Sequence, residues 1–489
     1  MKGLFKRLTV GTLAVLLLTM VPLTGVNAQK GVNEVAKEQI SDLTEYIDGL
    51  VLANGAFPMS KPTSAMVTDT SHLETVDGVA PEVYTKWPFA KIVPYFSQLS
   101  ILGMLKASPE QAKEPAERFI GWYFSHLNDK TADINGVDGT VYDYYCFVDP
   151  KDKDHIVEVT VRQFHAHQYP ANPADNPYDY DSTDSYAACF LRVLYEYHKN
   201  YGGDFLTDKK EEVLRVLNAL RSTYVPALGL TGAKPNYMVC YLMDNCEVYD
   251  GLVAASKLLE ELYGDKALAE ELAGLAETVK AAIEKHLWSE ENGAYYPYVF
   301  ADGNKPAKPD WNLFYPDAAA QLFPISAGVI DPAGERAEAL YEKFNRHFGT
   351  REKGWQVLKT GDTFPWASIA GVAATMGDYE RLETYIRMIR TTFGTKGYPY
   401  PFYNSEAGAM LGMLKTYTES AYYKETYLET ETSESESEGE SKAETLPEST
   451  APTPLPTEKT GLWKILLPVG AGVVLLAGLA VWMIRKKKK

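Results

Sequence analysis

The sequence predicts an all-α fold, a toroid of six helical hairpins whose twelve helices close into a double ring. Two observations carry this. Between Val32 and Thr418 a polar amphipathic helix alternates with an apolar, small-residue helix six times. The apolar partners, moreover, repeatedly begin at clusters of carboxylates and aromatics: Asp181-Ser182-Thr183-Asp184-Ser185-Tyr186, Asp244-Asn245-Cys246-Glu247, Trp311 to Asp317, Asp362 to Trp366, and Tyr403-Asn404-Ser405-Glu406. Helices apolar nearly all round are buried, so this set forms the inner ring and gathers its starts at one end.

The polar, outer set comprises Lys37 to Leu52, Pro115 to Leu127, Lys209 to Tyr224, Lys266 to Leu287, Ala333 to Phe348 and Asp378 to Phe393. Each carries apolar residues at three- and four-residue spacing with charges between. The inner set comprises Tyr95 to Leu105, Ser185 to His198, Val248 to Leu262, Asp317 to Val329, Trp366 to Met376 and Ala407 to Tyr417, rich in Ala, Gly, Leu and Ser. Small residues let such helices approach closely. Lys37 to Leu52 opens the chain and is expected to pair with the last inner helix, closing the ring. The longest interruption runs from Asn128 to Tyr180. Within it, Thr140 to Val148 and Ile156 to Phe164 flank Asp149-Pro150-Lys151-Asp152 and read as a β-hairpin forming one wall of the mouth.

The ends are of another kind. Residues 1–28 read as a signal peptide, with Lys2, Lys6 and Arg7 before an apolar run and small residues at Val26-Asn27-Ala28. Residues 29–423 hold no second linker and form one domain. Residues 424–460, rich in Glu, Ser, Thr and Pro, are a disordered acidic stalk. Residues 461–484 include the uncharged run Ile465 to Ile484 and read as a transmembrane helix, with residues 485–489 a cytoplasmic basic tail. This layout resembles that of sortase substrates of Gram-positive bacteria. Leu446-Pro447-Glu448-Ser449-Thr450 lacks the motif's Gly, however, and the run from Leu455 to Gly461 is too long for it. Single-pass retention in the cell membrane, with the bulk of the chain extracellular, is favoured over wall attachment.

The formal charge of −17 argues against nucleic acid and polyanionic substrates, which an acidic surface repels. A neutral or amino-sugar glycan suits it. Cys240 and Cys246 are close enough in sequence to pair, and buried free thiols are the plainer alternative. His165-Ala166-His167 is a lone pair without metal-ligand spacing, and no phosphate-binding Gly-rich loop is present. No cofactor, no metal and no obligate protein partner is expected.

From about Val32 to Ser420 the chain resembles the six-hairpin glycosidases, the (α/α)6-barrel superfamily that includes glucoamylases, debranching amylo-glucosidases and some cellulases. Tyr180 to Ser185 followed by Phe190-Leu191-Arg192-Val193-Leu194 looks like the Asp-bearing inner helix of the debranching type. Cys246-Glu247-Val248-Tyr249-Asp250-Gly251 is similar to the segment that supplies the general acid in glucoamylases. Asn404-Ser405-Glu406 occupies the place where those enzymes carry their base.

The resemblance implies a glycoside hydrolase that uses paired carboxylates with inversion, and the ends of the chain make it membrane-anchored and extracellular. In this reading Glu247 is the acid and Glu406 the base. Asp184 either joins the chemistry or holds sugar hydroxyls, and Asp143 is a further candidate base. Asp181, Asp244 and Asp317 bind substrate together with Tyr241, Trp311, Trp366 and Tyr403, whose rings suit the apolar faces of sugars. Each acid also has an ordinary explanation at a helix start. Asp244 and Glu247 have capping-box spacing, Glu406 follows Asn404 and Ser405, and Asp181 precedes a helix that it could cap. The alternative function is a non-catalytic glycan-binding surface protein on the same barrel; a lyase is disfavoured because its uronic-acid polymers would be repelled.

Overall fold

The computed structural model describes residues 30–64, 70–169, 176–349, 355, 360 and 364–428. The expected signal peptide, transmembrane helix and basic tail, the stalk from residue 429 onward, and Asp362 lie outside the described residues. Within them, no helix is long and apolar enough to cross a membrane.

The domain is mostly helical. Its outer helices are α1 (Val32–Asp48), α3 (Pro109–Ser125), α5 (Lys210–Arg221), α7 (Lys266–Ala282), α9 (Glu335–Phe348) and α11 (Tyr379–Thr392). Its inner helices are α2 (Pro94–Ala107), α4 (Thr183–Tyr201), α6 (Leu242–Glu261), α8 (Phe323–Ser326), α10 (Ala367–Thr375) and α12 (Asn404–Glu419). Contacts run α2 to α4, α6, α8, α10, α12 and back to α2, so the inner set forms a closed cycle. The first helix, α1, packs on α12, as expected from the sequence. Helix α9 meets the inner layer through Phe344 and Phe348, which pack on Phe314.

Small residues set the inner spacing. A Cβ on Gly103 of α2 would lie 2.0 Å from the carbonyl oxygen of Gly408 on α12, and one on Gly251 of α6 would lie 2.6 Å from that of Ala188 on α4. Backbone meets backbone there, and any side chain would push the helices apart.

The sequence reading needs three corrections. First, the domain is not all-α, because the described residues include nine short strands in four small sheets. The hairpin forms from β2 (Tyr144–Val148) and β3 (Ile156–Thr160), and β1 (Phe89–Ile92) adds a third strand beside β2. Four residues are too few to show an alternating pattern, and their partner lies far along the chain. Two-residue ribbons pair β4 (Tyr224–Val225) with β5 (Leu230–Thr231) and β7 (Trp288–Ser289) with β8 (Ala294–Tyr295). A longer one joins β6 (Val239–Tyr241) to β9 (Tyr298–Phe300).

Second, the inner helix expected from Asp317 to Val329 is broken. A π-type turn spans Phe314–Ala318, and α8 itself is a single turn with Pro324 as its second residue that ends before Gly328 at φ +70°. Proline has no N–H to continue the ladder, and glycine tolerates the left-handed exit. Third, the ordered chain runs past Tyr423. A turn at Lys424–Leu428 follows, and the hydroxyls of Tyr417, Tyr422 and Tyr427 all donate to Glu383 Oε1, at 2.7, 3.1 and 2.7 Å. Cys240 and Cys246 are both buried free thiols.

Candidate active site

The starts of the inner helices meet at one end of the cycle. Glu247, in the second turn of α6, is buried and accepts two hydroxyl hydrogen bonds from neighbouring helix starts. Tyr95 Oη on α2 donates to Oε1 at 2.5 Å, and Ser185 Oγ on α4 donates to Oε2. Burial pushes its carboxyl up to about 7, while the two hydroxyls and the nearby Arg192 charge favour the ionised form. The capping-box explanation of this residue falls away. Tyr241 is the N-cap of α6 and makes no side-chain cap, and both Asp244 and Glu247 lie inside the helix.

Three more predicted acids gather beside Glu247. Asp184 is fully buried, with Thr231 Oγ1 donating to Oδ2 at 2.7 Å and the Ser185 N–H to Oδ1 at 2.8 Å. Burial pushes it up to about 6. Both of its oxygens are engaged, and it has no exposed surface. Asp244 is half-buried. Its carboxyl is held well above the usual range by burial and by the charges of Asp184, Glu247 and Asp181.

Asp181 differs from both. It is accessible to solvent although protein surrounds it, as a group on a cleft floor would be. Burial raises its carboxyl, Lys234 and Lys91 pull it down, and Asp143 and Asp179 raise it. The two lysines are themselves anchored: Lys91 Nζ lies 2.8 Å from Asp143 Oδ2, and Lys234 Nζ lies 2.9 Å from Asp179 Oδ1. Asp143 also accepts from Tyr186 Oη at 2.9 Å. The three-stranded sheet thus supplies Lys91 from β1 and Asp143 from the approach to β2. Asp181 is not the cap of α4. That role belongs to Ser182, whose side chain accepts from the Ser185 N–H at 3.2 Å.

Glu406 stands apart from this group. In the cycle of inner helices α12 lies opposite α6, with two helices between them on either side. Its Oε2 accepts the N–H of Ala367, the first residue of α10, at 2.7 Å. Burial pushes its carboxyl up to about 7, against backbone bonds from Ala367 and Trp366. Glu406 therefore caps a neighbouring helix instead of its own.

Aromatic rings line the same end. From α2 round to α10 the contacts run Tyr95 to Phe96 (5.9 Å between centroids), Phe96 to Tyr403 (5.8 Å), Tyr403 to Phe364 (5.7 Å), Phe364 to Trp366 (5.0 Å) and Trp366 to Tyr315 (5.5 Å). On the other side Tyr95 stacks on Tyr186 at 6.0 Å. Tyr241 and Tyr298 face each other across the β6–β9 ribbon at 5.6 Å, and the Tyr241 hydroxyl lies 3.2 Å from that of Tyr237. Trp366 is held in the left-handed region at φ 57°, a strained conformation for so bulky a residue and one that clusters at functional sites. Asp317 accepts the Asp310 N–H at 2.8 Å, and its charge is felt at Tyr298. Trp311 instead packs on outer helix α9, with Lys343 Nζ 4.6 Å above its ring and His347 beside it.

No family model and no curated protein sequence matches this chain. Solved structures do. An alpha-amylase from Clostridium perfringens aligns at 13% identity over 78% of this chain and 97% of its own, with a TM-score of 0.45. A glycosidase variant in complex with glucose aligns at 12% over 80% and 98%, with a TM-score of 0.48. A reducing end xylose-releasing exo-oligoxylanase aligns at 12% over 79% and 92%, with a TM-score of 0.42. Likenesses this loose assign neither a family nor an activity.

Several residues of the site carry no sequence signal of their own. Tyr95 is one aromatic among many, and Lys91 and Lys234 sit in segments whose spacing marks nothing. Ser185 lies inside a motif noted for its aspartates. All four act through contacts with residues distant in the chain.

Proposed function

We propose that this chain is a glycoside hydrolase of the six-hairpin, (α/α)6-barrel type, acting with inversion on a neutral or amino-sugar glycan. The observation that carries the reading is Glu247: a buried carboxyl brought up to about 7 and oriented by two hydroxyls, beside further acids in an aromatic-lined mouth. A general acid must hold its proton near working pH, and a crowded, partly apolar site achieves that.

In the proposed reaction Glu247 gives its proton to the glycosidic oxygen as the C–O bond breaks. Water attacks the anomeric carbon from the other face, and its proton passes to the opposed carboxylate. Glu406, across the ring, is the proposed base. Asp181 is the second candidate, favoured by its solvent access. Asp184 helps to keep the acid protonated by adding negative charge nearby, and Asp244, Tyr241, Trp366, Tyr403 and Asp317 are proposed to contact sugar. Trp311 is the weakest of the proposed contacts, given its packing on α9. The protein is proposed to act outside the cell, tethered to the membrane by residues 461–484, as the sequence of its ends suggests.

Release of reducing sugar from a panel of neutral and amino-sugar oligosaccharides tests the reading. Because the acid must be protonated, the rate is expected to fall as pH rises through about 7. Retention of an oligosaccharide with no product at any pH would identify a binding protein instead. The choice of base is open to a direct comparison. Glu406→Gln keeps an acceptor for the Ala367 N–H, so the ring stands while the rate falls by roughly 10²–10⁴-fold. A full rate in Glu406→Gln together with such a loss in Asp181→Asn would move the base to Asp181.

A further inference from the structure

Helices α4 and α6 face each other along two columns of side chains. On α4, Ser185, Cys189, Arg192 and Glu196 follow at four-, three- and four-residue steps and share one face. On α6, Glu247, Asp250 and Lys257 follow at three- and seven-residue steps and likewise share one face. The columns are joined by the Ser185–Glu247 hydrogen bond at the mouth and, deeper in, by Arg192 Nε to Asp250 Oδ2 at 2.8 Å. Helical side chains tilt toward the N-terminus, so the Arg192 guanidinium reaches back up the column toward Glu247. Beneath the pair lies a cavity of about 110 Å³, lined by Arg192, Tyr195, Glu196, Asp250 and Lys257 among others. Arg192 is accordingly enclosed by the ring yet keeps 30% of its side-chain surface accessible.

We propose that Arg192 and Asp250 are positioning residues, a charge pair that governs the proton held by Glu247 from the side of the ring away from the mouth. The proposal rests on Glu247 being the acid. It adds a partner that does not touch substrate. Around Glu247 stand Tyr95 from α2, then Asp184, Ser185, Cys189 and Arg192 from α4, and Asp244 and Cys246 from α6, with Asp250 three residues further along α6 and paired to Arg192. Arg192 is the one cation among these groups, and Asp250 partly neutralises it. Removing either charge therefore has opposite consequences for the acid. Without Arg192, ionising Glu247 becomes harder. Without Asp250, the bare Arg192 charge makes it easier.

The test is the titration of Glu247 in the full domain. It can be followed by carbon NMR of labelled glutamate, with Glu247→Gln identifying the signal, alongside the pH–rate profile. Arg192→Met is expected to raise the midpoint by about one unit and Asp250→Asn to lower it by about one unit. The alkaline limb of the rate should move with each. The double variant leaves no lone buried charge and guards against a single variant that fails to fold; its midpoint is expected between those of the two singles, or near the wild-type value if only one single folds. Shifts of the same sign, or none, would overturn the proposal. The NMR midpoint is readable without turnover. Opposite shifts in a protein that hydrolyses nothing would thus sink the hydrolase reading and leave the charge pair standing.

Discussion

Glu247→Gln is expected to lower the rate of sugar release by on the order of 10³-fold while making the domain more stable at pH 8. The first effect follows from its proposed role, since an amide has no proton of suitable acidity to give. The second follows from the environment alone. The carboxyl is raised from 4.5 to about 7 chiefly by burial. Between those values the folded state holds a proton that the unfolded state has released. Stability is therefore highest below 4.5 and falls as pH rises through this window. Above about 7 the buried charge costs on the order of 3 kcal/mol, at roughly 1.4 kcal/mol per unit. Glutamine removes that charge and keeps the shape, and the hydroxyls of Tyr95 and Ser185 can turn to suit the amide. Urea unfolding at pH 5 and pH 8 should show a clear gain for the variant at pH 8 and little at pH 5. An equal loss of stability at both would mean that the site is packed for structure alone.

Gly103→Ala is expected to be among the most damaging single changes in the domain. The added Cβ would meet the Gly408 carbonyl oxygen at 2.0 Å, with the Gly408 carbonyl carbon and Cα also within reach. None of these atoms belongs to a side chain that can turn away. Helices α2 and α12 would have to separate along one of the closest contacts of the inner cycle, which would also shift Tyr95 and Glu406 in their first turns. Overpacking of a well-filled core costs about 1–3 kcal/mol, occasionally more, and a backbone clash belongs at the upper end. Urea unfolding measures the loss. Gly121→Ala, where a Cβ meets nothing within 4 Å, is the control and should gain about 0.5–1 kcal/mol, the usual advantage of alanine over glycine inside a helix. A Gly103→Ala protein as stable as that control would contradict the close approach.

The architecture was legible because its signal is repeated. Each outer helix showed its stripe in its own few turns, and each inner helix its small apolar residues, so α1 through α7 and α9 through α12 follow from local pattern. Strands Phe89–Ile92 and Val239–Tyr241 were not legible, since their pairing spans more than fifty residues. The break at α8 lay in Pro324 and Gly328, both visible in the sequence, but the apolar run around them outweighed the signal.

The candidate site divides the same way. Sequence placed Asp181, Asp184, Asp244, Glu247 and Glu406 at helix starts, because the alternation puts them there. Their environments were a matter of tertiary contact. A first-turn carboxylate on a lone helix would serve as a cap, exposed and ionised. Packing turned Asp184 into an enclosed support, left Asp181 open to solvent between two lysines, and sent Glu406 to cap its neighbour. It also closed Tyr95 and Ser185 over Glu247. The sequence by itself determined which helices bear carboxylates and at which end they gather, since that depends on residues within one or two turns. Which carboxylate keeps its proton was decided only by the tertiary structure, because burial and neighbouring charge act through space between helices far apart in the chain.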